Sequence, residues 1–282
     1  MNNDRIQEIL DLMEEARLDY FLISDPQSIA YCTGYYNDPH ERMFVFMISK
    51  HGNHTLFMND LFYLDHDLDV NIVWHKDGQD AIQTIVDEMH FPGRIGIDKN
   101  WASHFLLDLM KKLPDAKYIN ASPCVDLVRM KKDLQEQVLM IESSKINDAV
   151  MEEIIPFIQE GVTEKQLAKK LDELFFKHHS TCYGAIVAFG KNAADPHHEN
   201  DDTLLRKGDC VLIDMGCVYK GYCSDMTRTF FYEGILEEEI KVYEIVKKAN
   251  EAAEAMIKPG VKLSDIDKCA RKVISDEGYG KY

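Results

Sequence analysis

Two hydrophobic periods succeed one another along the chain. Ile6, Ile9, Leu10 and Met13 recur at helical spacing and predict a first helix, and the apolar run Tyr20 to Ile23 predicts a short buried strand. Strand-like runs follow at Met43 to Ile48, Thr55 to Met58, Asn71 to Trp74 and Arg94 to Ile97, with helix-like patterns over 78–90 and 101–112 between them. Such alternation predicts an α/β domain with a mixed sheet. After Pro123 the pattern changes to a long charged, amphipathic stretch, KKDLQEQVLMIESSKINDAVMEEIIPFI, which reads as helix running across a domain boundary. Pro156 lacks an amide donor and clashes with the preceding turn, so it ends or kinks that helix. The boundary is placed so that residues 1–123 form one domain and residues 124–282 another.

In the second domain Thr163 and Gln166 have the spacing of a capping box, and Leu167, Leu171, Leu174 and Phe175 give the buried face of the helix it opens. Strand-like runs then come at Ala185 to Phe189, Cys210 to Met215 and Cys223 to Phe231. The segment from Ile158, IQEGVTEKQLAKKLDELFF, is echoed from Ile257 by IKPGVKLSDIDKCARKVIS, with Gly161 matching Gly260. Leu167, Leu171, Leu174 and Phe175 fall on Ile266, Ala270, Val273 and Ile274 at one offset, a pattern that either a duplicated unit or two similar amphipathic helices would give. If it is a duplication, the first copy runs on into strands and the second does not. The repeat then predicts a complete protein longer by on the order of 80 residues.

Composition narrows the function classes. Apolar residues are 45% and charged residues 29% of the 282, the usage of a folded globular chain long enough for two cores. A net charge of -17 repels phosphates, so neither nucleic acid nor an anionic membrane is expected as a partner. The N-terminus lacks the basic start and apolar block of a signal peptide, and no apolar run reaches the roughly 18 residues of a membrane span, so a cytoplasmic protein is expected. Seven cysteines at irregular spacings, with no C-x-x-C pair, read as free thiols. His178-His179 reads as a helix end meeting the last carbonyls rather than as a ligand pair.

The chemistry concentrates in residues 210–230, CVLIDMGCVYKGYCSDMTRTF, where two strand-like runs flank a turn at Tyr219-Lys220-Gly221. Each run carries one aspartate among apolar neighbours. A tight turn centred between Tyr219 and Lys220 would set Asp214 directly opposite Asp225, with Cβ atoms about 4.5–5.5 Å apart. Two unit charges about 4 Å apart repel by about 4 kcal/mol at an effective dielectric near 20, a conflict that a cation removes. Oxygen donors on a rigid hairpin suit manganese, cobalt or zinc, and a two-metal site of this kind favours hydrolysis. The alternative from spacing alone is that one aspartate is solvated and the other pairs with Arg228 or Lys220. Upstream, FGKNAADPHH turns at Pro196 and presents His197, either as a donor near neutral pH or as a loop histidine beside the acidic run Glu199 to Asp202.

The ordered set FGKNAADPHH, LRKGDCVLIDMG, GYCSDMTRTF, IKPG and DKCARKVISDEGYGKY resembles the Xaa-Pro dipeptidases, or prolidases, of the pita-bread metallopeptidase group that includes aminopeptidase P. IAYCTGYYNDPHERMF resembles the N-terminal domain of the same enzymes, so the likeness covers nearly the whole chain. It implies an α/β N-terminal domain of creatinase/prolidase type over 1–123 and, over 124–282, the first part of an α+β pita-bread catalytic domain. It implies that Asp214 chelates one metal ion, that Asp225 bridges two, and that His197 stands on the substrate side. It implies two divalent cations, manganese foremost, proline-containing dipeptides or short peptides as substrates, and a homodimer in which the loop Gly34 to Arg42 either reaches the neighbouring site or is plain surface.

The family's remaining ligands, one histidine and two glutamates, come from segments after GYGKY that have no counterpart here. The 282 residues are therefore expected to be a truncated, inactive form. A non-catalytic pita-bread scaffold is the other reading, against which the two aspartates argue. They argue equally against a metal-free creatinase, and methionine aminopeptidases lack a domain like residues 1–123.

Overall fold

In the computed structural model, which describes residues 1–90 and 92–282, the chain divides into one unit from Met1 to Lys132 and a second from Asp133 to Tyr282. In the first, six strands, β1 (Tyr20–Ile23), β2 (Val45–Ser49), β3 (Thr55–Asn59), β4 (Asn71–His75), β5 (Arg94–Ile97) and β6 (Lys117–Asn120), form one sheet in the order β4-β3-β2-β1-β5-β6. β1 is antiparallel to β2 and parallel to β5, so the sheet is mixed. The two-residue period of β1 explains the layers. Phe21 and Ile23 enter a core with Ile6, Ile9 and Met13 of α1 (Asn3–Glu15) and with Val125 and Val128 of α5 (Ser122–Met130). Tyr20 and Leu22 point the other way, to Ile82 and Ile85 of α3 (Ala81–Asp87) and Leu109 of α4 (Ser103–Lys112).

A further helix, α2 (Pro26–Thr33), follows β1 with Asp25 as its cap. Beyond it, the loop Gly34 to Arg42 is tied at its end by the Arg42 guanidinium, whose Nε and Nη2 donate to the two oxygens of Asp77 at 3.0 and 2.8 Å. β6 and α5 lie outside the elements expected from the sequence, although Cys124, Val125 and Val128 give α5 a buried face at helical spacing.

The stretch read as helix from Lys131 onward is helical only from Leu134. α5 stops at Met130, and α6 (Leu134–Ile154) begins afresh with Asp133 and Glu136 in a reciprocal capping box. That acidic cap satisfies two amides that a continuous helix would have paired internally, which fixes the break. α6 gives way at Pro156 to one 3-10 turn, Ile155–Phe157. The Thr163–Gln166 capping box is present and opens α7 (Glu164–Lys177), whose Leu167, Leu171, Leu174 and Phe175 are buried. His178 ends α7, with its ring nitrogen 2.8 Å from Glu153 rather than on a carbonyl.

Two small sheets lie against these helices. β8 (Ile186–Phe189), β9 (Cys210–Met215) and β12 (Met226–Phe231) form one in the order β12-β9-β8, and β7 (Thr181–Cys182), β10 (Cys217–Tyr219) and β11 (Tyr222–Cys223) form the other in the order β11-β10-β7. Val187, Val211, Ile213 and Met215 share a core with Val150, Ile154, Leu171 and Phe175. α8 (Glu237–Glu254) and α9 (Leu263–Asp276) follow. The two halves of the sequence echo also match in backbone, since Gly161 and Gly260 both take left-handed φ, +83° and +88°. The side chains differ in burial: α9 has no fully buried residue, whereas its counterpart α7 does.

Replacing Leu171 by Ala should lower the unfolding free energy of the Asp133–Tyr282 unit by about 2–5 kcal/mol, because a fully buried aliphatic side chain leaves a cavity. A drop in the urea midpoint at unchanged slope is the expected reading.

Candidate functional site

β9 and β12 pair antiparallel, with Asp214 opposite Thr227 and Met215 opposite Met226. Farther along, Tyr219 pairs with Tyr222 across Lys220 and Gly221, whose φ angles of +49° and +83° make a tight two-residue hairpin turn. The turn is therefore centred between Lys220 and Gly221, not between Tyr219 and Lys220, and the expected pairing of Asp214 with Asp225 is displaced by two residues. In a continuous ladder an even displacement would leave both aspartates on one face, but Asp225 lies between β11 and β12, outside the paired residues. Asp225 comes level with Gly216, a diagonal neighbour of Asp214, a relation that in a regular ladder is about 7–8 Å.

The ladder breaks at this point for a steric reason. A Cβ on Gly216 would lie 2.1 Å from Tyr183 Oη and 2.2 Å from the Ser224 carbonyl oxygen, and Tyr183 Oη donates to that same carbonyl at 2.6 Å. Tyr183 thus fills the place of the absent side chain. Burial pushes its phenol above the ordinary value, and the negative charges of Asp225, Cys223 and Asp214 push it further, so it samples the field of both aspartates. Nothing in the sequence TCYGA marks this tyrosine; only the missing side chain at Gly216 hints that something must occupy the space.

From behind, α6 holds the hairpin by polar contacts. Asn147 Nδ2 donates to the Met215 carbonyl at 3.5 Å, Ser143 Oγ to the Cys217 carbonyl at 3.4 Å, and Tyr222 Oη to the buried Glu136 at 2.9 Å. In front, Thr227 Oγ1 donates to Asp214 Oδ1 at 2.7 Å and fixes that carboxylate's rotation. Among the described residues no donor reaches Asp214 Oδ2 or either oxygen of Asp225. The pairing with Arg228 or Lys220 does not occur: Arg228 Nη1 donates to the Thr227 carbonyl at 2.8 Å, and Lys220 Nζ lies 5.2 Å over the Tyr219 ring. Two half-open carboxylates with no cationic side chain form a donor set suited to hard divalent cations.

His197 lies in the loop after β8, exposed, with its amide on Asp195 Oδ1 at 3.0 Å, and no hydrogen bond or ion pair joins its ring to either aspartate. Among the described residues, the three-residue set with ligand atoms close together is a different one: Glu164, His198 and Asp201. Sequence reasoning missed it. Both oxygens of Glu164 are already filled by donors, from Phe189 N–H and Asn192 on one and His198 and Asp201 N–H on the other. A saturated buried carboxylate of this kind acts as an internal brace. The seven cysteines are free, three of them buried and Cys223 exposed.

Residues 138–282 match the profile of metallopeptidase family M24, and residues 5–131 match the creatinase/prolidase N-terminal domain. The chain belongs to metallopeptidase family M24. Its second unit accordingly has the pita-bread fold and its first the creatinase-type α/β fold. An uncharacterized peptidase of Staphylococcus aureus is 30% identical over 99% of the chain and 80% of its own length. Among solved structures, a dipeptidase from Pyrococcus horikoshii superposes with TM-score 0.89 at 33% identity, covering 99% of this chain and 79% of that one. An Xaa-Pro dipeptidase from Bacillus anthracis gives 0.89 at 26% identity with the same coverage. The M24 chain is thus a metallopeptidase whose 282 residues span about four fifths of the length of these relatives.

Gly216→Ala should destabilise the M24 unit by about 1–3 kcal/mol, since a methyl group there overlaps Tyr183 and Ser224. Removing the ring in Gly216→Ala/Tyr183→Ala should recover part of that loss; a double-mutant cycle by urea denaturation reads the coupling, and strict additivity would contradict the packing described.

Proposed function

We propose that this M24 chain supplies part of a dinuclear centre that hydrolyses the Xaa-Pro bond of dipeptides or short peptides, with Asp214 and Asp225 as its first two carboxylate ligands. The observation that carries the reading is the pair of aspartates on the two arms of one hairpin, with three carboxylate oxygens lacking donors among the described residues and no cationic side chain paired to either. Manganese fits these oxygen donors best, with cobalt or zinc as alternatives. When bound, two such cations supply a hydroxide nucleophile near neutral pH and polarise the scissile carbonyl.

The chain's own residues have distinct tasks in this reading. Asp214, whose Oδ1 is held by Thr227, would offer Oδ2 to a cation, and Asp225, with neither oxygen engaged among the described residues, would offer its carboxylate to the same centre. His197 donates a proton or hydrogen bond to the substrate from its loop. The printed names of the relatives, dipeptidase and Xaa-Pro dipeptidase, support the substrate class. We further read the protein as a cytoplasmic homodimer; among the described residues no helix is long and apolar enough to cross a membrane.

Two carboxylates alone hold a divalent cation weakly, because catalytic sites use more donors. Titration of Mn²⁺ followed by electron paramagnetic resonance should therefore show weak binding to the 282 residues, reversed by chelator and reduced at least tenfold in Asp214→Asn. Ala-Pro should not be turned over by these residues alone. Unchanged Mn²⁺ affinity in Asp214→Asn would remove Asp214 from the site, and robust Ala-Pro turnover would overturn the two-ligand account.

A further inference from the structure

We propose that Glu164 is a positioning residue that sets the place of His197 by clasping the loop that carries it. The proposal rests on the reading of His197 as a substrate-side group. The Glu164 side chain has no exposure at all, and it stands in the first turn of α7, where the helix field favours a negative charge. No lysine or arginine pairs with it among the described residues. All the partners of its side chain come from residues 189–201. Oε1 accepts the Phe189 amide at 2.8 Å and Asn192 Nδ2 at 3.0 Å; Oε2 takes His198 Nε2 at 2.6 Å and the Asp201 amide at 3.0 Å.

These four points span the loop from the end of β8 to its return. Asn200 adds a second tie, accepting the Val187 amide and donating to the Ala185 carbonyl, each at 2.7 Å. Between the ties, a short turn places the His197 amide on the Asp195 side chain and the His198 amide on the Asp195 carbonyl. The two neighbouring histidines therefore part. His198 turns inward to Glu164, its side chain 12% exposed, and His197 is left facing solvent. The inward histidine is the handle by which a buried acid orients the outward one. The same saturation argues against a cation in the Glu164, His198 and Asp201 set, since it would have to displace donors already in place.

Glu164→Gln keeps one oxygen and sets an NH₂ donor against His198 and the Asp201 amide. By NMR, amide exchange at His198 and Asp201 should accelerate at least tenfold and the His197 ring signals should shift or broaden, while exchange at Val211 and Ile213 in β9 stays unchanged. His198→Gln, which can still donate to Glu164, should preserve the wild-type His197 signals, and His198→Phe should not. Unchanged exchange at His198 and Asp201 would overturn the proposal. So would equal effects of the two His198 substitutions, or acceleration that extends equally to β9 and so reports ordinary destabilisation. The Mn²⁺ titration of Asp214→Asn reads the peptidase assignment independently, so either idea can fail without the other.

Discussion

The β9–β12 ladder runs from the Cys210–Phe231 pair to the Met215–Met226 pair and then gives way at Gly216, where Tyr183 Oη and the Ser224 carbonyl occupy the space a side chain would need. That one steric constraint arranges the whole site. On the near side of the break, regular pairing locks Asp214 against Thr227; on the far side, the hairpin passes into the β11-β10-β7 sheet and is gripped by Ser143 and Glu136 of α6. Asp225 sits at the break itself, released from strand pairing. A ladder continuous through this point would pair Asp225 as an ordinary strand residue, with its carboxylate fixed by the pleat.

Much of the architecture could be read from periodicity because it depends on local signals. The alternation of β1, sending Phe21 and Ile23 to one core and Tyr20 and Leu22 to the other, follows from strand geometry and apolar identity. The Thr163–Gln166 cap depends on residues three apart, and the end of α6 on a proline. The start of α6 was misplaced for an equally local reason. Lys131 and Lys132 are good helix residues, so propensity favours continuity, and only the reciprocal bonds between Asp133 and Glu136 tip the balance toward a break.

At the site, residue types were legible and registration was not. The turn centre depends on Lys220 adopting φ of +49°, a conformation that glycine or asparagine would have advertised and lysine does not. A shift of one position in the turn centre moves the pairing by two, which is why Asp214 faces Thr227 rather than Asp225. Tyr183 and Glu164 were missed because their roles are tertiary. A glutamate in the first turn of a helix ordinarily meets water, and Glu164 is buried only because residues 189–201 fold back over it.

The acids of this strongly negative chain separate into two kinds by what surrounds their oxygens. Glu164 is fully buried, so each lone-pair direction left empty would be costly, and the fold fills all of them with donors from one loop. Asp214 and Asp225 lie where the sheet opens, where water can satisfy an empty oxygen, and there the fold supplies one hydroxyl and no cation. A protein that needed these two charges only for structure would gain by pairing them with Arg228 or Lys220, both within the same hairpin; instead each base is engaged elsewhere. Burial with saturation marks an acid that holds structure, whereas an exposed acid without a donor is ordinary, so the proposed role of the aspartates depends on their place at the break. The proposed assignments of Glu164 to the loop and of the aspartates to cations draw on that difference together with position, not on acidity alone.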